Sequence, residues 1–350
     1  MDSSDPQLPT PHPEPPPSRW ERAKDWFRRL FRLRPTPGRY ESDSRMAWRG
    51  FLHTRPLVWP RREYLLYLPR GFSRWRSSPL LALCHGCKQT PEDFAVSSRI
   101  AEFADRTGWL VLLPRQKDSA NPWRCWNWFD RATVEGHGEA AIVAAQIEAV
   151  QGTYRTDQRR ILVAGMSAGG ALAAAVALNH PERVRGAVVH SGLAVGAAAT
   201  PLTALTVMKR GPETDVEGIA DVARLRSRVR SPSVALLAIH GEADDIVAPA
   251  NTVALVRQFL RFNDHPATRG DTLASPALPD ADWTEIKILV DGRRATIRDW
   301  SVNGRLVVRY VDISDLGHAW TGGRGEFDFN DPRPPNAMEL IEKFASDIAA

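Results

Sequence analysis

Residues 160–178 constrain this 350-residue chain more than any other stretch. They begin with charge, pass through the apolar run Ile161-Leu162-Val163-Ala164, reach Gly165-Met166-Ser167-Ala168-Gly169-Gly170, and end in an alanine-rich run to Leu178. A short apolar run led in by charge reads as a buried strand, and the small residues after it read as a closely packed helix. Gly-x-Ser-x-Gly at such a junction is the setting of a nucleophile elbow, in which a sharp turn lifts a serine hydroxyl off the sheet edge. Backbone and helix crowd together there, and Gly165 and Gly169 supply the missing Cβ atoms. Ser167 is the candidate nucleophile.

The rest of the chain fits a scaffold of alternating strands and helices. Apolar runs at Tyr64–Leu68, 80–84, 109–113, 184–189, 234–239 and 306–313 read as strands, most of them closed by a turn residue or a charged segment. Helical patterns fall at 92–107, 139–154, 251–262 and 334–349, and residues 197–230 read as an excursion over the sheet. Short apolar strands alternating with helices imply a mostly parallel, doubly wound α/β sheet covered on both faces. Residues 285–290 and 295–300 flank Asp291-Gly292 and read as a small β-hairpin inserted before the last strand. The expected catalytic domain runs over residues 45–350.

A serine hydroxyl is a weak nucleophile until a base takes its proton and an acid holds that base in the right tautomer. On a sheet of this kind the three follow in the order serine, acid, histidine, each in a loop after a strand. The run 234–239 leads into His240-Gly241-Glu242-Ala243-Asp244-Asp245, and the run 306–313 leads into Ser314-Asp315-Leu316-Gly317-His318. His318 is the candidate base. Asp244 and Asp245 compete for the acid, with Asp244 favoured by its place in the His-Gly-x-x-Asp turn that His240 shapes. Charge develops on a carbonyl oxygen in acyl transfer, so two backbone N–H groups must face it. The residue after the nucleophile, Ala168, supplies one; the loop His85-Gly86-Cys87 after an early strand supplies the other, with Cys87 as the candidate donor.

The run Trp123-Arg124-Cys125-Trp126-Asn127-Trp128-Phe129 is the densest in aromatics. Its Trp126, Asn127 and Trp128, with Trp320 beyond His318, either pack the core or wall an acyl pocket. Cys84, Cys87 and Cys125 are an odd set, so at least one thiol is free. Cys84, at a strand end, reads as a buried thiol, and a Cys87–Cys125 bridge is open.

Six of these motifs, in order over residues 45–345, carry a resemblance. They are Leu83-Cys-His-Gly-Cys-Lys-Gln89, Cys125-Trp-Asn-Trp-Phe129, Gly138-Glu139, Gly165-Met-Ser-Ala-Gly-Gly170, His240-Gly-x-x-Asp244 and Gly317-His-Ala-Trp-x-Gly-Gly323. Together they resemble the polyhydroxybutyrate depolymerase family of esterases, whose relatives include feruloyl and acetylxylan esterases. The resemblance implies an α/β-hydrolase with Ser167 as nucleophile, Asp244 as acid, His318 as base and Cys87 N–H in the oxyanion hole, with no cofactor and no metal. It implies a serine carboxylesterase for short-chain or 3-hydroxybutyrate-type oligomer or polymer esters. The alternatives are an esterase acting on plant polysaccharide and a non-catalytic binding protein of the same fold. Thr321 and Met166 stand where the family often has proline and leucine.

Outside this domain the sequence changes character. Residues 1–44 combine a proline-rich tail, expected to be disordered, with a basic amphipathic helix from Trp20 to Arg34. In that helix Trp20, Phe27, Leu30 and Phe31 oppose Arg22, Arg28, Arg29 and Arg32, so it can lie on an anionic membrane or granule surface or dock on its own domain. Much of the net charge of +5 is concentrated here, so the basicity does not point to nucleic acid. No signal-like apolar segment follows the first residues, which makes the cytoplasm the expected location, with the extracellular space of many family members as the alternative.

Overall fold

The computed structural model describes residues 38–43, 62–268, 277–289 and 291–350. The tail and helix expected within residues 1–37 lie outside the described residues. Among the described residues ten strands form one sheet: β1 (Arg39–Asp43), β2 (Tyr64–Leu68), β3 (Ser78–Cys84), β4 (Leu110–Pro114), β5 (Thr156–Met166), β6 (Gly186–His190), β7 (Ala235–Gly241), β8 (Trp283–Ile288), β9 (Arg294–Val302) and β10 (Arg305–Ile313). Their spatial order is β1-β2-β4-β3-β5-β6-β7-β10-β9-β8. From β4 to β10 all neighbours are parallel. The β1–β2 and β2–β4 pairs at one edge and the β10–β9 and β9–β8 pairs at the other are antiparallel. Among the described residues the first strand of the sheet, β1, starts at Arg39, ahead of the expected boundary at residue 45.

The strands are apolar without alternation because both faces are covered. Every residue of β3 is buried, with Leu80, Ala82 and Cys84 in one core and Leu81 and Leu83 in the other. Successive side chains of a strand point to opposite faces, so each face receives every second residue. The helices Gly138–Thr153, Ala168–Asn179 and Ala250–Phe262 pack into the first core. Pro91–Ser97, Ile100–Thr107 and Ala337–Ala349 pack into the second. Each fully buried leucine contributes about 1.5–3 kcal/mol relative to exposure, so two such cores hold the sheet rigidly. Residues 201–226 contain the helices Pro201–Arg210 and Val216–Arg226.

The single helix expected over 92–107 is two. Ser97 and Ser98 hydroxyls both bond the carbonyl of Phe94, and Arg99 takes a left-handed conformation with φ of 62°. Serine hydroxyls compete with the backbone for its own carbonyls, and the turn they favour here ends one helix and starts the next. Among the described residues no helix is long and apolar enough to cross a membrane.

Candidate active site

Ser167, Asp244 and His318 follow β5, β7 and β10, strands of one parallel set, so all three stand at the same edge of the sheet. Ser167 has φ of 55° and ψ of −123°, a conformation rare for a residue with a side chain. Such strain persists only where the surroundings over-determine it, and here they do. A Cβ on Gly165 would lie 2.2 Å from the carbonyl oxygen of Gly169, and one on Gly169 would lie 2.4 Å from the carbonyl oxygens of Cys84 and His85. Strand and helix thus pinch the elbow from both sides.

His318 donates from Nδ1 to Oδ2 of Asp244 at 2.8 Å. The other carboxylate oxygen, Oδ1, accepts from the amides of Ile246 at 3.0 Å and Val247 at 2.8 Å. Burial pushes the Asp244 carboxyl up, but the His318 bond and charge, with the Val247 amide, outweigh it and hold the group below the ordinary value. Asp245 is exposed, and its carbonyl accepts from Lys209 Nζ. Of the two neighbouring aspartates, Asp244 is therefore the partner of His318. His240 is buried behind it, with Nε2 donating to Val247 O at 2.8 Å and Nδ1 accepting from Thr252 Oγ1 at 2.6 Å. It ties the Asp244 turn to the next helix.

Ser167 is linked to this group through His190, a residue the sequence reading missed. The carbonyl of His190 accepts the Ser167 N–H at 2.9 Å. Its ring stacks on Trp320 with centroids 5.1 Å apart, and its Nε2 accepts from the Thr321 amide at 3.2 Å. The segment carrying His318 is thereby pinned to the strand beside the serine. Burial, then the charges of His240 and His318, lower the His190 imidazole to about 3, so it stays a neutral acceptor.

Ala168 is the first residue of its helix, and its N–H has no intrahelical acceptor. Cys87 follows β3 in a turn, and among the described residues its N–H has no hydrogen-bond partner. A disulfide joins Cys87 to Cys125, with Cα atoms 4.2 Å apart. Cys84 is free and buried, its thiol pushed up by burial.

Of the two alternatives for the aromatic run, the burial of Trp126 and Trp128 matches core packing. Trp126, Trp128 and Trp320 are all but sealed from solvent and belong to the two cores. Asn127 is partly buried, but its amide groups bond Glu139 and Asn121. Of the aromatic run, Trp123 is the exposed member, at 66% of its surface.

A family model described as esterase PHB depolymerase matches residues 62–276 of this architecture. The chain belongs to that family. It is 29% identical over 254 residues to the poly(3-hydroxyalkanoate) depolymerase C of Paucimonas lemoignei, covering 72% of this chain and 57% of the relative. Feruloyl esterase B of Neurospora crassa is 26% identical over 190 residues, 51% of this chain and 63% of the relative. The chain thus spans less than two thirds of either relative's length. Among solved structures the acetyl xylan esterase from Aspergillus awamori superposes with a TM-score of 0.62 at 18% identity, covering 80% of this chain and 94% of that one. The family's α/β-hydrolase fold is the fold described above.

Proposed function

We propose that the chain hydrolyses carboxylic esters through an acyl-enzyme on Ser167. The observation that carries the proposal is the 2.8 Å bond between His318 Nδ1 and Asp244 Oδ2. An ionised carboxylate only accepts, so Nδ1 holds the proton and Nε2 keeps the lone pair a serine proton needs. His318 takes that proton and Ser167 Oγ attacks the ester carbonyl, whose oxygen turns negative against the amides of Ala168 and Cys87. His318 then protonates the leaving alcohol. Water enters, gives a proton to the same imidazole, and the acid departs as Ser167 is restored. No cofactor takes part.

Short-chain or 3-hydroxybutyrate-type esters, oligomeric or polymeric, are the substrates we propose, on the strength of the family and of the depolymerase relative. A second reading, esters of plant polysaccharide, is supported by the likeness to feruloyl esterase B. Rates on 3-hydroxybutyrate oligomers beside acetylated and feruloylated sugars separate the two. Loss of turnover in Ser167→Ala with the fold intact is the expected control, and undiminished turnover in that variant would refute the mechanism. The Cys87–Cys125 disulfide supports an oxidising compartment, and so the extracellular alternative over the cytoplasm. We further propose that the segment from Trp20 to Arg34 contacts anionic membrane or granule surfaces. Deleting residues 1–36, which leaves β1 whole, should then abolish co-sedimentation with anionic vesicles, and unchanged sedimentation would end the idea.

A further inference from the structure

We propose that His85 is a positioning residue for the oxyanion site: its imidazole fixes the plane of the Gly86–Cys87 peptide and so aims the Cys87 N–H. The inference rests on the reading above that this N–H meets the oxyanion. A trans peptide is planar, with its C=O and N–H pointing in opposite directions. Whatever holds the carbonyl of Gly86 therefore sets the direction of the Cys87 N–H. His85 Nδ1 lies 2.8 Å from that carbonyl oxygen. An amide oxygen only accepts, so Nδ1 donates.

The opposite nitrogen enforces the same tautomer. His85 Nε2 is 3.3 Å from the backbone N–H of Gln116, which can only donate, so Nε2 accepts. Burial lowers the imidazole to about 4, which keeps it neutral and able to fill both roles at once. The N–H of Gly86 is held as well, by Gln89 Oε1 at 2.8 Å. Gly86 is clamped on both polar atoms by side chains, while the next N–H along, that of Cys87, has no partner among the described residues.

Gln116 connects His85 in turn to a buried carboxylate, Glu139 of the Gly138-Glu139 pair. Glu139 accepts from Gln116 Nε2, from the Asn127 amide at 2.7 Å and from Asn127 Nδ2 at 3.1 Å, with Arg62 Nη2 at 3.9 Å. Gln116 Nε2 also reaches the Cys125 carbonyl at 3.0 Å, and Trp126 Nε1 donates to the His85 carbonyl at 3.0 Å. The loop that presents Gln116 to His85 is thus fixed by Glu139, and the disulfide ties the same loop to Cys87. A histidine that merely closed a strand could bond any carbonyl. This one bonds the carbonyl that shares a peptide with the proposed oxyanion donor.

The test compares His85→Ala, His85→Asn and His85→Gln in the full chain, by steady-state hydrolysis of p-nitrophenyl butyrate and inhibition by a trifluoromethyl ketone. The amide nitrogen of asparagine falls near the position of Nδ1 and that of glutamine near Nε2, so only asparagine can keep the bond to Gly86. His85→Ala should lower kcat by about 10- to 100-fold with KM within about twofold, and weaken the ketone by a similar factor, since one misaimed donor forfeits much of a donor's value. His85→Asn should recover most of the loss and His85→Gln should not. Should the alanine variant fail to fold, the asparagine–glutamine pair decides alone. Equal kcat in that pair, a full kcat in His85→Ala, or a loss confined to KM would overturn the inference. A wild type whose turnover is indifferent to Ser167→Ala would instead bring down the ester-hydrolysis reading.

Discussion

Replacing Asp244 by asparagine alters two atoms' chemistry and almost no volume, yet the structure sets a large effect. Oδ1 of Asp244 receives the amides of Ile246 and Val247, which can only donate. The asparagine must therefore turn its carbonyl oxygen to those amides and its NH2 toward His318 Nδ1. Nδ1 then has to accept, the imidazole proton moves to Nε2, and the lone pair that should take the Ser167 proton is gone. A wrong tautomer of this kind lowers kcat by about 10⁴-fold, or about 5 kcal/mol at 1.36 kcal/mol per decade. Initial rates on p-nitrophenyl butyrate, beside a thermal melt to show that the fold survives, measure it. The neighbouring Asp245 is exposed, and Asp245→Asn should leave kcat within about twofold of wild type. Should Asp244→Asn retain kcat within about tenfold of wild type while Ser167→Ala is inactive, the tautomer argument is refuted.

Three further outcomes are expected. Converting Cys87 and Cys125 together to serine opens a cross-link of sequence separation 38, which loop entropy values at about 4 kcal/mol, so calorimetry should show a Tm lower by several degrees; an unchanged Tm would contradict it. Burial holds His85 to about 4 and His190 to about 3, against about 6.5 in an unfolded chain, so on acidification the unfolded state binds protons first. Stability should fall as pH drops from about 6.5 toward 4, by up to about 1.4 kcal/mol per pH unit for each histidine, and a urea midpoint at pH 4.5 no lower than at pH 7 would refute this. Gly169→Ala puts a Cβ 2.4 Å from two backbone carbonyl oxygens that cannot move independently, so at least about tenfold of kcat should be lost even where a melt shows a folded protein; full activity would show that the elbow is not as tightly closed as described.

The parts of this architecture that depend on local chemistry were legible in the sequence. Apolar runs, most of them closed by a turn residue or a charged segment, marked β2 to β7 and β10, because strands buried on both faces must be apolar throughout. Strand ends then located Ser167, Asp244 and His318. What stayed hidden depended on packing between distant segments. The break at Ser98 and Arg99 comes from hydroxyls turning back on Phe94, which an apolar periodicity does not register. Trp126 and Trp128 satisfy pocket and core patterns alike, and only the surrounding helices show that they are sealed. β1 carries Arg39, Glu41 and Asp43 and owes its place to pairing with β2. His85, Gln116 and Glu139 are separated along the chain by whole elements, so their hydrogen bonds have no sequence signature beyond the Gly138-Glu139 pair.

The most direct test of the mechanism is covalent labelling of the full chain with a fluorophosphonate, followed by peptide mapping. The account predicts one adduct, on the peptide bearing Ser167, abolished in Ser167→Ala and slowed by about 10³-fold or more in His318→Ala. An adduct on another residue, or labelling of His318→Ala at the wild-type rate, would contradict it.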